Sequence, residues 1–240
     1  MSAFETILLE SADGVAWVTL NRPQVLNAYN VQMRDELYEV LGLIGRDDEI
    51  RVAVFRGAGD RAFCAGADLS EFGTAPSQAI ARQVRFERDV WARLLGVPQP
   101  IIAAVHGYCL GSGMEIALGC DLRIASRDAR FALPEPNLGM IPAAGGTQTL
   151  PRVVGKSWAL DAQLTGRMMD ADEAYRIGLV NRVVERTDLF DEARRLAAQL
   201  ASYDPAAVRL AKEAVVRGLD AALDRGLETE HRLALQLAAD

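Results

Sequence analysis

The hydrophobic pattern of this sequence changes near Gly146, and the change limits the folds that the chain can adopt. Before Gly146, short apolar runs typical of buried strands alternate with segments whose apolar residues recur at helical spacing. After Gly146, helical patterns dominate. The sequence therefore predicts an α/β core followed by a helical C-terminal region. The strands are too short and too irregularly spaced for a regular doubly wound sheet.

The predicted strands begin with a hairpin. Asp13-Gly14 separates the first two strands and is a typical two-residue hairpin turn. The strands are predicted at residues 6–9, 15–20, 52–55, 101–105, 122–125 and 130–132.

The predicted helices are recognised by one apolar face. In the first, Met33, Leu37 and Ile44 recur at helical spacing. Ser77 is predicted to cap a second helix. The inner face of that second helix carries Ile80, Val84, Trp91, Leu94 and Leu95. Further helices are predicted at residues 147–153, 157–164, 171–177, 189–202, 205–216 and 219–237.

Composition excludes several classes of protein. The 240 residues are 50% hydrophobic, which is enough for one large domain or for a domain with a small appendage. A net charge of −7 argues against a partner made of nucleic acid. The N-terminus lacks the features of a signal peptide, and no apolar run is long enough to span a membrane. The expected location is the cytoplasm, with no membrane partner.

Cysteine and histidine usage argues against disulfides and against a histidine-based zinc site. Cys64, Cys109 and Cys120 include no CxxC pair, which predicts reduced and mostly buried thiols. His106 and His231 are far apart in sequence, so a catalytic zinc site built on them is not expected. His106 is interpreted as a structural residue.

Two clusters of small residues follow predicted strands, at 64–69 and 107–113. Small residues permit a ligand to approach backbone N–H groups, and the second cluster opens a helix whose first N–H groups are unpaired. One N–H donor from each cluster could form an oxyanion hole. The alternative is that both clusters are only tight turns.

Two glutamates stand out from their surroundings. Glu115 lies in an apolar run early in the helix after Gly113, where a charged side chain is costly to bury without a partner. Glu135 is flanked by Pro134 and Pro136. Two carboxylates in one apolar pocket separate each other's pKa values, which provides one acid and one base. Taken singly, each glutamate could instead be a helix cap or a surface charge.

Other catalytic motifs fail on spacing or context. The segment 57–62 matches a GxGxxA dinucleotide fingerprint, but no helical pattern follows it. Gly155-Lys156-Ser157 resembles the end of a phosphate-binding loop, but Leu150 stands where the first glycine is required. Ser112 does not fit a GxSxG motif.

Several motifs occur in order along nearly the whole chain. They lie at residues 26–28, 65–69, 107–115, 134–148, 156–157, 164–166 and 178–180. In these motifs the sequence resembles the enoyl-CoA hydratase/isomerase (crotonase) superfamily, and most of all a 2-enoyl-CoA hydratase.

The resemblance implies an α/β fold, a ClpP-like spiral of ββα units with two roughly perpendicular sheets and a C-terminal helical region. It implies a core at residues 1–182 that holds the CoA and acyl site. Residues 183–240 would form the helical region that assembles a homotrimer, or a hexamer of paired trimers. Relatives continue beyond the position of Asp240 into a further helical segment that contacts the ligand.

The resemblance also implies the residues of the site. Glu115 and Glu135 match the catalytic pair, and the backbone N–H groups of Ala67 and Ser112 match the oxyanion hole. The acyl group would contact the segment 71–88. The residues implied to bind coenzyme A are Arg22, Leu26, Ala28, Ala65, Gly66, Asp68 and Leu69. Coenzyme A is part of the acyl-CoA substrate, and neither a further cofactor nor a metal is expected.

Retention of both glutamates favours hydration of a 2-enoyl-CoA to a 3-hydroxyacyl-CoA, because related enzymes with other reactions often lack one of the pair. Two alternatives remain open. One is a different reaction of the same superfamily, catalysed by an enoyl-CoA isomerase or an acyl-CoA hydrolase. The other is a non-catalytic subunit that binds acyl-CoA.

Overall fold

The computed structural model describes residues 4–71 and 87–238. Its strands are β1 (Ile7–Ala12), β2 (Val15–Leu20), β3 (Val52–Gly57), β4 (Ala62–Cys64), β5 (Ile101–Val105), β6 (Tyr108–Leu110), β7 (Leu122–Ser126), β8 (Arg130–Ala132), β9 (Met169–Asp170) and β10 (Arg182–Val184). Its α-helices are α1 (Val31–Arg46), α2 (Val90–Leu95), α3 (Ser112–Gly119), α4 (Gly146–Val154), α5 (Lys156–Thr165), α6 (Ala171–Arg176), α7 (Leu189–Ala201), α8 (Pro205–Leu219) and α9 (Leu223–Leu237). Short 3-10 helices occupy Pro23–Val25, Leu69–Glu71, Glu135–Leu138 and Arg186–Asp188.

The strands form two sheets. The larger sheet has the order β1-β2-β3-β5-β7-β10, and the smaller has the order β4-β6-β8-β9. Strands β3, β5 and β7 belong to the larger sheet, and each is followed by a short strand, β4, β6 or β8, in the smaller one. The chain therefore gives one strand to each sheet before a helix returns it. This arrangement confirms the predicted α/β spiral of ββα units with a C-terminal helical region.

Sequence patterns located the long strands and the short strand β8, and they missed four other short strands. The hairpin of β1 and β2 is antiparallel and turns at Asp13 and Gly14, which both have positive φ angles, as predicted. Strand β6 lies inside the small-residue cluster 107–113 and has only 3 residues, too few to show an alternating pattern. Strands β4 and β10, also of 3 residues, and β9, of 2 residues, were missed as well.

Helix α1 begins at a side-chain cap and buries one face. The Asn30 side chain accepts a hydrogen bond of 2.9 Å from the Met33 N–H, an interaction worth about 1 kcal/mol. Met33, Leu37 and Ile44 are fully buried beneath the larger sheet, as their spacing predicts. This helix fixes the chain between Tyr29 and Arg34, which borders the cavity described below.

The second predicted helix is only partly described. Ser77, Ile80 and Val84 lie outside the described residues. The described helix α2 is capped by Asp89, whose side chain accepts hydrogen bonds from two N–H groups of the first turn. Leu94 is buried as predicted, whereas the prediction that Leu95 faces inward is wrong, since its side chain is exposed.

The helices after β10 differ in what they cover. Helix α7 packs on the outer face of the larger sheet, where Leu189, Ala193 and Leu196 meet Val54 and Ile102. Helices α8 and α9 pack against each other and leave several large apolar side chains exposed. Those side chains are Val215, Val216, Leu219, Leu223, Leu227, Leu235 and Leu237. The boundary between residues 182 and 183 stays a prediction.

Gly113 allows helix α3 to approach strand β4 closely. A Cβ atom at Gly113 would lie 2.2 Å from the Cys64 carbonyl oxygen, so Gly113→Ala must move backbone. We expect this variant to lose about 1–3 kcal/mol of unfolding free energy. The matched control is Gly45→Ala in α1, where the nearest atom to a new Cβ would be 3.8 Å away. Alanine there should stabilise the helix, by up to about 1 kcal/mol. Urea denaturation of both variants measures the difference, and equal stability would contradict the close approach.

Candidate active site

The first predicted oxyanion donor, the Ser112 N–H, lies at the start of helix α3. Gly111 precedes the helix with φ 49° and ψ −123°, a conformation that favours glycine. Ser112 is the first helical residue, so its N–H has no acceptor within the helix. In the described part of the chain this N–H donates to no other protein group, and Ser112 lines the cavity.

The second donor comes from the segment after β4. The Tyr29 N–H donates to the Gly66 carbonyl at 2.8 Å, and the Asp68 N–H donates to the Tyr29 carbonyl at 2.8 Å. This bridge uses the backbone groups on either side of Ala67 and leaves the Ala67 N–H without an acceptor among residues 4–71 and 87–238. Ala67 also lines the cavity.

The two small-residue clusters meet. A Cβ atom at Gly66 would lie 4.0 Å from the Gly111 Cα atom, and one at Gly111 would lie 3.7 Å from the Gly66 Cα atom. Both glycines have positive φ angles. The clusters are therefore more than separate tight turns, because they bring Ala67 and Ser112 to one cavity.

Glu115 is buried and held by backbone N–H groups. Its side chain projects from α3, and the residue is 4% exposed. Its Oε1 atom accepts hydrogen bonds from the Ala144 N–H at 2.8 Å and from the Gly146 N–H at 2.9 Å. These charge-assisted bonds stabilise the carboxylate in its apolar surroundings. A Cβ atom at Gly146 would come within 3.0 Å of Oε1, so glycine leaves room for the glutamate.

Glu135 differs from Glu115 in that one of its buried carboxyl oxygens accepts no hydrogen bond within the described residues. It begins the 3-10 helix Glu135–Leu138, and its Oε2 atom is buried with no hydrogen-bond partner in the described structure. Burial raises the pKa of this carboxyl group above its ordinary value, which favours the protonated form. A Cβ atom at Gly111 would lie 2.8 Å from Oε1, so Glu135 sits against the turn that opens α3.

Both carboxylates and both N–H donors line one cavity of about 500 Å³. Its other walls are largely apolar and include Leu69, Trp91, Leu138 and Met140. The site thus combines one hydrogen-bonded carboxylate, one carboxyl group with a raised pKa and two unpaired N–H groups. That set can hold and activate a water, deliver a proton and stabilise a developing oxyanion.

The residues predicted to bind coenzyme A divide into three sets, of which one lines the cavity. Ala65, Gly66 and Leu69 line the cavity. Leu26 and Ala28 lie beside it, since the Ala65 N–H donates to the Leu26 carbonyl at 3.0 Å.

Arg22 and Asp68 bind each other at the edge of this region. Arg22 Nη1 lies 2.9 Å from an Asp68 carboxylate oxygen and donates to the Ala28 carbonyl at 2.7 Å. Hydrogen bonds from Ser70 and Arg22 lower the pKa of Asp68. The pair ties residues 22, 28 and 68 together, and neither side chain lines the cavity.

Sequence reasoning missed a buried arginine that supports helix α3, which carries Glu115. Arg123 Nη1 donates to the Ala117 carbonyl at 3.1 Å and to the Cys120 carbonyl at 2.6 Å, at the C-terminal end of α3. Its Nε donates to the Leu179 carbonyl at 2.7 Å. A charged residue inside the apolar run of strand β7 is the signal that could have identified it.

The remaining titratable candidates lie apart from the cavity. His106 is buried, its Nε2 atom lies 3.0 Å from the Gly59 carbonyl oxygen, and burial lowers its pKa to about 4. Cys64, Cys109 and Cys120 are buried free thiols, as predicted.

Residues 4–71 and 87–238 contain neither a cluster of metal-binding side chains nor a membrane-spanning helix. No group of three or more histidine, cysteine, aspartate or glutamate side chains is placed to hold a metal ion. No helix in these ranges combines the length and the apolar character needed to cross a membrane.

Comparison with known proteins gives one consistent result. The sequence model of the enoyl-CoA hydratase/isomerase family matches residues 10–240. The chain is 43% identical to a short-chain-enoyl-CoA hydratase of Clostridium acetobutylicum over 93% of this chain and 86% of that protein. It is 44% identical to a probable enoyl-CoA hydratase of Mycobacterium bovis over 96% of this chain and 88% of that protein. The solved enoyl-CoA hydratase of Bacillus anthracis superposes with a TM-score of 0.94 at 38% identity, over 98% of this chain and 92% of that one.

Proposed function

The chain belongs to the enoyl-CoA hydratase/isomerase family, and we propose that it is a hydratase that adds water across the 2,3 double bond of a 2-enoyl-CoA thioester. The product is a 3-hydroxyacyl-CoA. One observation carries this proposal most directly: Glu115 and Glu135 line the same cavity as the two unpaired N–H groups of Ala67 and Ser112. The hydratases to which the chain is similar support the same reaction.

The thioester carbonyl oxygen accepts hydrogen bonds from the Ala67 and Ser112 N–H groups. When water attacks C3, negative charge moves through C2 onto this oxygen, and the transition state resembles an enolate. The donors are fixed by the backbone, so no reorganisation is needed as the charge develops. Each donor contributes about 3–4 kcal/mol to transition-state stabilisation.

The two carboxyl groups divide the proton transfers. Glu115, ionised and fixed by the Ala144 and Gly146 N–H groups, orients the water and takes its proton as the oxygen bonds to C3. Glu135, with its raised pKa, gives its proton to C2. The proton then passes from Glu115 back to Glu135 through water, which restores the starting state.

Binding and assembly complete the proposal. Coenzyme A lies along Leu26, Ala28 and Ala65, and it enters as part of the substrate with no additional cofactor. The chain assembles as a homotrimer or a hexamer, and the exposed apolar side chains of α8 and α9 support contacts with further copies. Support for a cytoplasmic location comes from the buried free thiols.

The experiment that tests this function adds the protein to crotonyl-CoA, to a longer 2-enoyl-CoA and to an aromatic one. Hydration predicts loss of the enoyl-thioester absorbance and a product heavier by one water. An unchanged mass with a shifted double bond would identify an isomerase, and release of free thiol would identify a hydrolase. Tight binding without turnover would identify a non-catalytic subunit, and each of these three results would overturn the proposal.

A further inference from the structure

Two arginines border the catalytic cavity and have no part in the proposed reaction. Arg34 is the fourth residue of α1, and Arg88 lies just before α2. Both line the cavity together with Tyr29, Val90 and Trp91. Hydration of an unsubstituted enoyl chain uses no cation in this wall, so the arginines require a separate explanation.

We infer that Arg34 and Arg88 select 2-enoyl-CoA substrates whose acyl chain ends in a carboxylate. The inference rests on the proposed hydratase function and specifies its substrate class. Arginine binds carboxylates through paired N–H donors in a fixed plane, which gives both affinity and orientation.

The guanidinium groups have unused donors. Arg34 Nε and Nη2 both donate to one oxygen of Asp35, at 3.0 Å and 2.8 Å. Arg34 Nη1 makes no hydrogen bond within residues 4–71 and 87–238. Arg88 approaches the same Asp35 oxygen only to 3.6 Å and makes no hydrogen bond in those ranges. One carboxylate therefore serves two guanidinium groups, which leaves one positive charge unbalanced among the three side chains.

Burial makes this charge effective. The Arg34 side chain is 18% exposed, and the Arg88 side chain is 44% exposed. Solvent screens a partly buried charge less than an exposed one, so an anion in the cavity gains more from Arg34 than from a surface arginine. Two other carboxylates near this end of α1 do not balance the remaining positive charge of the arginines. Glu71 accepts a hydrogen bond from the Val31 N–H at 2.8 Å, and Glu39 is exposed.

The position of the arginines favours the acyl chain over the phosphates of coenzyme A. Of the residues predicted to bind coenzyme A, Ala65, Gly66 and Leu69 line the cavity, whereas Leu26, Ala28 and Arg22 do not. Arg34 and Arg88 share the cavity with Glu115 and Glu135, where the acyl group would react. Beside the arginines, the rings of Tyr29 and Trp91 lie 5.6 Å apart and form an apolar wall. An aliphatic or aromatic stem can pack on that wall while a terminal carboxylate meets the guanidinium groups.

The test measures binding, so it does not depend on turnover. Isothermal titration calorimetry compares adipoyl-CoA with hexanoyl-CoA, which differ only in a terminal carboxylate and cannot be hydrated. We expect Arg34→Gln and Arg88→Gln each to weaken adipoyl-CoA binding on the order of tenfold, with hexanoyl-CoA binding changed by less than about twofold. Asp35→Asn releases both guanidinium groups and should strengthen adipoyl-CoA binding. The matched control, Arg194→Gln on an exposed part of α7, should change neither.

The outcomes separate the possible roles. Equal weakening of adipoyl-CoA, hexanoyl-CoA and free coenzyme A would assign the arginines to the phosphates and overturn the inference. Unchanged adipoyl-CoA binding in both variants would also overturn it. Hydration of 2-hexenoyl-CoA by the wild-type protein tests the proposed function separately, so failure of one claim is distinguishable from failure of the other.

Discussion

Glu135→Gln is expected to lower the rate of crotonyl-CoA hydration by about 10²–10⁴-fold, because the amide has no proton to give to C2. The side chain keeps its size, and Gly111 still leaves room for it beside the start of α3. Binding of a non-reacting acyl-CoA should therefore stay within a few-fold of wild type. Steady-state kinetics gives the first quantity, and calorimetry gives the second.

Unfolding would not explain this loss, because the pKa of Glu135 predicts the opposite effect on stability. Burial raises its pKa in the folded state above the unfolded value. The stability that this group contributes is present below the unfolded pKa and is lost as pH rises through the folded pKa. At neutral pH the ionised carboxylate is thus unfavourable, and the thermal midpoint of Glu135→Gln should not fall below that of wild type. A hydration rate within tenfold of wild type would show that Glu135 is not the acid.

Glu115→Gln is expected to reduce hydration by a similar factor, about 10²–10⁴-fold, through a different step. The amide oxygen can still accept the Ala144 and Gly146 N–H groups, so the loop before α4 keeps its position. What is lost is the base that takes the proton from water. Steady-state assays with crotonyl-CoA measure the rate. The stability control is Glu115→Leu, which leaves both N–H groups unpaired and should cost about 1–3 kcal/mol for each.

Proton exchange at C2 separates the roles of the two glutamates. In deuterated water, Glu115→Gln should still exchange the C2 protons of butyryl-CoA, because Glu135 and the oxyanion donors remain. Glu135→Gln should not exchange them. If Glu115→Gln loses exchange as completely as Glu135→Gln, the proposed division of proton transfers is wrong.

The fold was predictable in segments long enough to show the repeat of apolar residues that is typical of a helix or a strand. Helix α1 and strands β2, β3 and β5 each present several apolar residues in register. Strand β6 does not, because its 3 residues lie between glycines and resemble a turn. Leu95 follows the apolar Leu94 but lies outside the buried stripe of this helix of 6 residues, which carries Val90 and Leu94.

The site was predictable only in part, because some of the groups that form it leave no pattern in the sequence. Glu115 attracts attention because a charge in an apolar run requires a partner. Its partners are backbone N–H groups 29 and 31 residues away, and backbone groups carry no sequence signature. Arg34 and Arg88 occur among polar residues, a pattern typical of a solvated surface. Only the packing of α1 near α2 places them at the cavity.

The most direct test of the central claim is hydration of crotonyl-CoA in water that carries both deuterium and oxygen-18. If Glu115 delivers water and Glu135 delivers the proton from the same cavity, the product has one heavy oxygen at C3 and one deuterium at C2. Both labels should then lie on the same face of the former double bond, which proton NMR and mass spectrometry determine. Addition to opposite faces, or label found only in a released carboxylic acid, would contradict the account.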